Sequence, residues 1–356
     1  MSALSVALIG CGSIARKHVA SIAACPGARL YAVCDVSQER MESMATLWQA
    51  ESGEKNNIVL FADYRKLLAD PAIDIVVVAT ISSLHAEIAK EALKADKHVV
   101  LEKPVALSLK DVDEMIRLAE ERGLFVQVCH QLRYRPLMKK IKELVAGGAL
   151  GNLSMASVTL RIYRPPGYYQ TAPWRGTWEY DGGMLLNQGI HAIDLLLWCL
   201  GEPSRIYGEL YSQAGGKETE DIALGLLSFP SGAKGMIEAN SVTLPENLEQ
   251  SLFLLGDQGV ISIGGPKLDR IDRWHIEGQP DTREAALQIL HHHDEHIEMY
   301  RSLIEACQGK PPGNLIDLRQ GRRTLELIFA LYLSASTGQV QPLPLAGFST
   351  LQMKQT

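Results

Sequence analysis

With 356 residues, 46% hydrophobic and 21% charged side chains, the chain has the composition of a globular protein and a length that suggests about two domains. A net charge of -6 argues against a nucleic-acid or anionic-membrane surface, and no run approaches the roughly 20 apolar residues of a membrane span. The cysteines (Cys11, Cys25, Cys34, Cys129, Cys199 and Cys307) are scattered without a C-x-x-C pair. The first residues go straight into a strand pattern with no visible signal peptide, so the expected setting is cytoplasmic, with reduced thiols.

Ser5–Ile9 is an apolar run of strand length, followed by Gly10-Cys11-Gly12-Ser13-Ile14-Ala15 and a helical pattern through Ala24. This is G-x-G-x-x-A between a strand and a helix, the dinucleotide-binding arrangement. Gly10 permits the tight turn, Gly12 lets the backbone approach a pyrophosphate, and Ala15 allows close helix–strand packing. The N–H groups at the helix start, around Ser13 and Ile14, favour an anion. Leu30–Cys34 reads as the second strand and ends in Asp35. An acid about 20 residues beyond the motif bonds the ribose hydroxyls and repels a 2′-phosphate, which favours NAD; Arg40 stands nearby and keeps NADP open.

Ile73–Ala79 reads as a buried parallel strand, with Thr80–His85 as the loop at its carboxyl end and a helix following. His98–Leu101 is the next strand and ends in Glu102-Lys103-Pro104; Ser108 caps another helix, and Leu124–Val128 is a further strand. Such alternation means a doubly wound parallel sheet, an α/β Rossmann domain over residues 1–128. Ligands of such sheets bind beyond the strand carboxyl ends. That rule gathers Gly10, Gly12, Ser13, Ile14, Asp35, Arg40, Thr80, His85, Glu102 and Lys103 as cofactor-side candidates. Lys103, at a strand end and followed by proline, is suited to proton transfer or to polarising a hydroxyl.

From residue 129 to 356 the rhythm changes to an α+β domain with a large, mainly antiparallel open sheet. Arg133 leads into a helix, Leu153–Ile162 alternates as a strand, and Tyr163–Tyr180 is a long aromatic and basic loop. Within it Tyr163, Trp174 and Arg175 suit a sugar ring or a phosphorylated or carboxylated ligand. Met184–Leu200 reads as one nearly all-apolar helix stopped by Gly201, yet Asn187, His191 and Asp194 fall on one face. A buried polar stripe needs partners, because an unpaired polar group costs roughly 1–3 kcal/mol. Short strands with tight turns follow, then helices over about Thr282–Cys307 and Asp317–Ser336. His292 and His296 stand one turn apart but lack the H-E-x-x-H order, so no metal is expected.

In the order and spacing of Gly10–Ala15, Glu102-Lys103-Pro104, Gly182-Gly183…Asn187-Gln-Gly189-Ile-His191-Ala-Ile-Asp194 and Gly321-Arg-Arg…Leu343-Pro-Leu345, the chain resembles the Gfo/Idh/MocA oxidoreductases over nearly its whole length. The resemblance implies NAD(P) chemistry on a secondary hydroxyl of a sugar, cyclitol or sugar nucleotide. It matches Lys103 to the family's catalytic lysine and His191 to its catalytic histidine. Two positions depart from the pattern: Asn187 stands where the family often has Asp, and Thr80-Ile-Ser82 where it often has Thr-Pro-Asn.

On this reading a hydride leaves a carbinol carbon while the hydroxyl proton goes to a protein base. His191 is the general acid/base and Lys103 the polarising cation, or the two roles are exchanged; Asn187 and Asp194 orient His191 or the substrate. The alternatives are an NAD-dependent glycosidase or lyase acting through transient oxidation, and a non-catalytic dinucleotide sensor. The expected partners are a sugar-like small molecule and, because an open sheet leaves one face uncovered, further copies of the chain in a homodimer or homotetramer.

Overall fold

The computed structural model describes residues 3–54, 58–213 and 216–355. Two compact units divide the chain: Met1–Tyr134 with Asp294–Arg322, and Arg135–His293 with Arg323–Thr356. Each is built on one sheet.

In the first unit β1 (Leu4–Ile9), β2 (Ala28–Cys34), β3 (Val59–Phe61), β4 (Ile75–Val78), β5 (His98–Leu101) and β6 (Val126–Val128) lie in the order β3-β2-β1-β4-β5-β6. Every pair is parallel. Helices α1 (Ala15–Ala23), α2 (Gln38–Ser52), α3 (Tyr64–Leu68), α4 (His85–Lys94) and α5 (Leu109–Arg122) make the crossovers. The strands read as apolar runs because both faces are covered, and Ile75 to Val78 are wholly buried. The order reverses between β1 and β4, which defines the ligand-binding end of such a sheet. Strand β3 carries too little pattern in its three residues to be seen in the sequence.

The second unit contains β7 (Leu153–Arg161), β8 (Arg205–Tyr211), β9 (Ile222–Ser228), β10 (Lys234–Asn240), β11 (Glu249–Gly256), β12 (Gly259–Gly264), β13 (Arg270–Ile276) and β14 (Gln341–Pro342). They form an eight-stranded sheet, β13-β12-β11-β7-β10-β9-β8-β14. The pair β7–β10 is parallel and the others are antiparallel. Its helices are α6 (Pro136–Ala146), α7 (Pro166–Gln170), α8 (Ile190–Leu200) and α9 (Asp281–Ile289). Helix α10 (Glu295–Cys307) belongs to the first unit, and α11 (Leu318–Thr337) begins there and continues into the second. Along β9, Ala223 and Leu227 are buried on the helix-covered face, whereas Leu224 and Leu226 on the other face are 48% and 60% exposed.

Three features differ from the sequence reading. Residues Asp294–Arg322 pack with the first unit, not with everything after residue 128. The ties are the Val128 N–H donating to the Ile316 carbonyl (2.8 Å), the Tyr134 hydroxyl donating to the Asn314 carbonyl (2.6 Å), and α10 packing on α1. The helix expected over Thr282–Cys307 is split into α9 and α10 by the exposed run His291–Asp294, where the chain passes from one unit to the other. The helix expected over Met184–Leu200 opens with a π-helical turn at Leu185–Gly189 before α8.

A buried acid accompanies that turn. Glu220 is 1% exposed. Its Oε1 accepts the Leu185 N–H and the Tyr332 hydroxyl, each at 2.8 Å. Gly183, at φ +104, is held here by space: a Cβ would lie 2.4 Å from Glu220 Oε2. Burial pushes the Glu220 carboxyl up to about 7 despite those donors. A pKa raised on folding contributes stability below the unfolded value, and that stability is lost as pH rises through the folded one. Glu220→Gln should therefore match wild type in urea unfolding near pH 4 and exceed it by up to about 3 kcal/mol near pH 8. A difference that did not grow across this interval would show that Glu220 carries its charge without penalty.

Candidate active site

The ends of β1, β2, β4 and β5 carry the residues of the first unit expected on the cofactor side. Gly10 has φ +96, and a Cβ there would meet the Ala79 carbonyl oxygen at 2.4 Å, so only glycine lets the β1 loop lie against the β4 end. Gly12, Ser13 and Ile14 are exposed ahead of α1, whereas Ala15 is fully buried against the sheet. This leaves the N–H groups at the start of α1 available to an anion. Asp35 accepts the Cys11 N–H through Oδ2 (2.8 Å) and the Ser37 N–H through Oδ1 (2.9 Å). These bonds fix the carboxylate beside the glycine loop and leave each oxygen a further lone pair for a ribose hydroxyl. Arg40 is exposed in the first turn of α2. The cradle fits a dinucleotide: backbone at the phosphates, an acid at the ribose.

Thr80 is half-buried in the loop after β4. His85 is 1% exposed and sits inside, its Nδ1 2.8 Å from the Pro104 carbonyl oxygen and its Nε2 3.2 Å from that of Thr80. It braces the loops after β4 and β5 instead of standing at their surface, and burial lowers its pKa. Arg133 is also interior, 7% exposed, with its guanidinium on Gln320.

Behind Lys103 lies a buried polar cluster. Glu102 is 7% exposed; its Oε2 accepts the Lys103 N–H and its Oε1 lies 3.1 Å from His18 Nε2. His18, 0% exposed, turns Nδ1 to the Tyr300 hydroxyl at 2.8 Å. Burial keeps the Tyr300 phenol well above its usual pKa, hence protonated and able to donate to Nδ1. The remaining ring proton then lies on Nε2, facing Glu102. Burial alone would raise the Glu102 carboxyl, but the His18 bond and the nearby Lys103 and His85 hold it below the ordinary carboxylate range. Donor atoms of His18, Glu102 and Cys129 lie within 4.8 Å of one another, yet His18 and Glu102 are at hydrogen-bonding distance, so the trio is built as a hydrogen-bonded cluster. Next to it His296 is 7% exposed, edge-on to His18 with ring centroids 6.4 Å apart. Burial and His18 push its pKa down to about 4. His292 is exposed outside any helix, so the two do not form an i, i+4 pair.

In the second unit the aromatic and basic loop folds on itself. The Arg175 guanidinium lies 4.4 Å from the Tyr168 ring and 4.5 Å from the Trp174 ring, and its Nη1 donates to the Tyr168 hydroxyl at 2.6 Å. Gln188 Nε2 donates to the same hydroxyl at 3.3 Å, and Arg164 lies 5.5 Å from the ring. Tyr163 is pinned through its N–H to Asn247 and bridges to Val242. Between Gly182 and Leu197, only Asn187, Gln188 and His191 are not buried, so the turn and α8 present one polar stripe. Asp194, expected in that stripe, is 1% exposed and accepts the Thr324 hydroxyl at 2.8 Å, pinning α8 to α11.

Sequence reasoning passed over His18, Tyr300 and Asp181. His18 had a signal, since it falls on the apolar stripe of α1 with Ala15, Val19 and Ile22. His18→Ala would leave the Glu102 carboxylate buried without its partner. The variant should lose about 3 kcal/mol at pH 7. A depressed carboxyl pKa contributes above its unfolded value and is lost as pH falls, so this deficit should shrink in acid, and adding Glu102→Gln should recover part of it. Equal urea midpoints for His18→Ala and wild type would contradict the pairing.

Two family models match the chain: the oxidoreductase family with NAD-binding Rossmann fold over residues 4–130, and the GFO/IDH/MocA C-terminal domain over residues 138–262. The chain is similar to the WlbA dehydrogenase from Bordetella pertussis, solved in complex with NADH and UDP-GlcNAcA, at 33% identity, covering 97% of this chain and 99% of that one, with a TM-score of 0.89. The WlbA dehydrogenase from Chromobacterium violaceum, solved with the same two ligands, is 30% identical over 97% of each chain, with a TM-score of 0.87. The myo-inositol 2-dehydrogenase of Thermotoga maritima is 27% identical over 92% of this chain and 95% of its own length. The chain, with its glycine loop and Asp35, its Glu102–Lys103 strand end and the polar stripe of α8, thus belongs to the Gfo/Idh/MocA oxidoreductases and is an NAD(P)-dependent dehydrogenase acting on CH–OH groups.

Proposed function

We propose that the chain is an NAD-dependent dehydrogenase of a nucleotide-linked sugar acid of the UDP-GlcNAcA type. The observation that carries this is the likeness, at 33% identity over 97% of the chain, to a dehydrogenase solved with NADH and UDP-GlcNAcA. The second unit supports it: Arg164 and Arg175 are gathered on Tyr168, two guanidinium groups suited to a carboxylate, with Trp174 beside them for a sugar face.

When bound, NAD supplies the hydride acceptor for the carbinol C–H. The residues of this chain do the rest. The glycine loop through Gly10, Gly12, Ser13 and Ile14 would hold the pyrophosphate and Asp35 the ribose hydroxyls, with Thr80 as a further cofactor-side group and His85 and Glu102 as the supports behind. As the C–H bond breaks, the hydroxyl proton passes to His191, and Lys103 holds the oxygen on which negative charge develops. Asn187 orients the substrate hydroxyl or His191, and Tyr163 stands as a positioning group, whereas Arg133, interior and bonded to Gln320, is given no contact with the substrate. The expected setting is the cytoplasm, with the six cysteines as free thiols.

Lys103→Met and His191→Ala should each lower kcat for oxidation of UDP-GlcNAcA, read as NADH absorbance, by about a hundredfold or more. Turnover of both variants within a few-fold of wild type would sink the scheme, and a wild type that reduces no NAD with any nucleotide-linked sugar would sink the substrate class. The exposed sheet face bearing Tyr211, Leu224 and Leu226 is proposed to be covered by a second copy of the chain. Light scattering at micromolar concentration should return a dimer or tetramer, and Leu226→Glu should shift it towards the monomer; a monomeric wild type would exclude the assembly.

A further inference from the structure

Asp181 lies outside every motif of the sequence and is 3% exposed. Its Oδ1 accepts the side-chain amide of Asn187, with Nδ2 at 2.6 Å, and its Oδ2 accepts the backbone N–H of Gly176 at 2.8 Å. The carboxylate is itself set by a tight turn, in which the N–H groups of Asp181 and Gly182 both donate to the Thr177 carbonyl. One carboxylate therefore holds two elements that carry half-buried candidate side chains: the loop bearing Trp174 and Arg175, and the π-helical turn that carries Asn187 beside Gln188 and His191.

The chemistry of the pair fixes which end of Asn187 is presented. A carboxylate only accepts, whereas an amide has a donating and an accepting end. Asn187 must turn Nδ2 to Asp181, and the end it presents is the carbonyl Oδ1, an acceptor. We propose that Asp181 is a positioning residue: it locks the Asn187 amide with its acceptor outward, so that Asn187 receives a hydrogen bond from a donor, a substrate hydroxyl or an imidazole N–H, and it keeps the Arg175 loop in register with that acceptor. The functional part of this rests on the dehydrogenase reading above; the orientation of the amide does not.

Asp181→Asn makes the logic visible. If the new amide keeps its oxygen on the Gly176 N–H, its Nδ2 faces the Nδ2 of Asn187, two donors meet, and Asn187 must invert and present a donor. Adding Asn187→Asp reverses the pair: the amide at 181 donates to a carboxylate at 187, and an acceptor is again presented. The first readout needs no turnover. In wild type the Asn187 side-chain amide, assigned by its loss in Asn187→Asp, should show one proton far downfield and slow to exchange, and Asp181→Asn should abolish this. The second readout is kinetic. Asp181→Asn should lower kcat/KM for UDP-GlcNAcA by about tenfold or more, with KM for NAD within about twofold of wild type, and Asp181→Asn/Asn187→Asp should regain part of the loss, stopping short of wild type because a charged group then faces the anionic sugar.

An unprotected Asn187 amide in wild type overturns the proposal. So does full activity in Asp181→Asn, or a double variant no better than the single one. If the single variant does not fold, the double variant decides alone: folded and active it supports the reversed pair, folded and inactive it refutes it. A wild type that turns over no nucleotide-linked sugar defeats the proposed function while leaving the amide spectrum to settle the orientation.

Discussion

Burying an ionised carboxylate costs several kcal/mol unless fixed donors surround it, and Glu102, Asp181 and Glu220 are buried carboxylates that each accept a backbone N–H near a candidate site segment. Glu102 takes the Lys103 N–H, Asp181 the Gly176 N–H, and Glu220 the Leu185 N–H. Each of these N–H groups belongs to, or adjoins, a segment that the proposed function uses. The first is Lys103 itself, the second the Arg175 loop, and the third the π-helical turn before α8. The need of each carboxylate for donors thereby specifies backbone positions that no hydrophobic contact would fix so closely, since a hydrogen bond has a direction and a narrow range of lengths. The two acids with resolved pKa shifts show how the surroundings decide the charge. Glu102 has the His18 bond and the nearby Lys103 and stays ionised far into acid, whereas Glu220, with an N–H and a phenol in direct contact, is pushed up to about 7.

The two sheets do different work. In the first unit the strands are parallel and buried on both faces, so a ligand of such a sheet meets the loops at their carboxyl ends, where Gly10, Asp35, Thr80 and Glu102 stand. His85 packs beneath two of those loops, its ring nitrogens beside the carbonyls of Thr80 and Pro104 and its one N–H bonded to one of them. In the second unit the sheet is a broad platform that positions the π-helical turn, α8 and the aromatic loop on its covered side.

What the sequence made legible follows from range. The glycine loop, Asp35, the strand-end Glu102-Lys103-Pro104 and the alternation of strands and helices are local patterns, and all of them stand in the structure where local reasoning puts them. The pairing of His18 with Glu102 and Tyr300 joins three distant segments, and no period in the chain announces it. Asp181 reads as part of an Asp-Gly-Gly turn, the commonest meaning of those residues, and its bond to Asn187 depends on a π-helical turn that helical periodicity cannot resolve from an ordinary one. Asp194 shows the converse: its spacing from His191 is helical as expected, but spacing does not say that Thr324 meets it in the interior. The segment Asp294–Arg322 escaped a single domain boundary because the chain returns to the first unit late, and sequence order carries no sign of that return.

The Asn187–Asp181 pair also bears on substrate charge. A carboxylate at 187 would present a full negative charge to whatever approaches α8. With the amide at 187 and the carboxylate behind it at 2.6 Å, the surface offers a neutral acceptor, and the charge lies one side chain further back. Coulomb repulsion falls with distance and with screening, so an anionic sugar meets less opposition while a hydroxyl donor still finds an oxygen polarised by the carboxylate behind it. On the other side of the same turn Gln188 reaches Tyr168, where Arg164 and Arg175 gather. Under the proposed function, negative charge withdrawn behind Asn187 and positive charge collected on Tyr168 both suit a sugar that carries its own carboxylate.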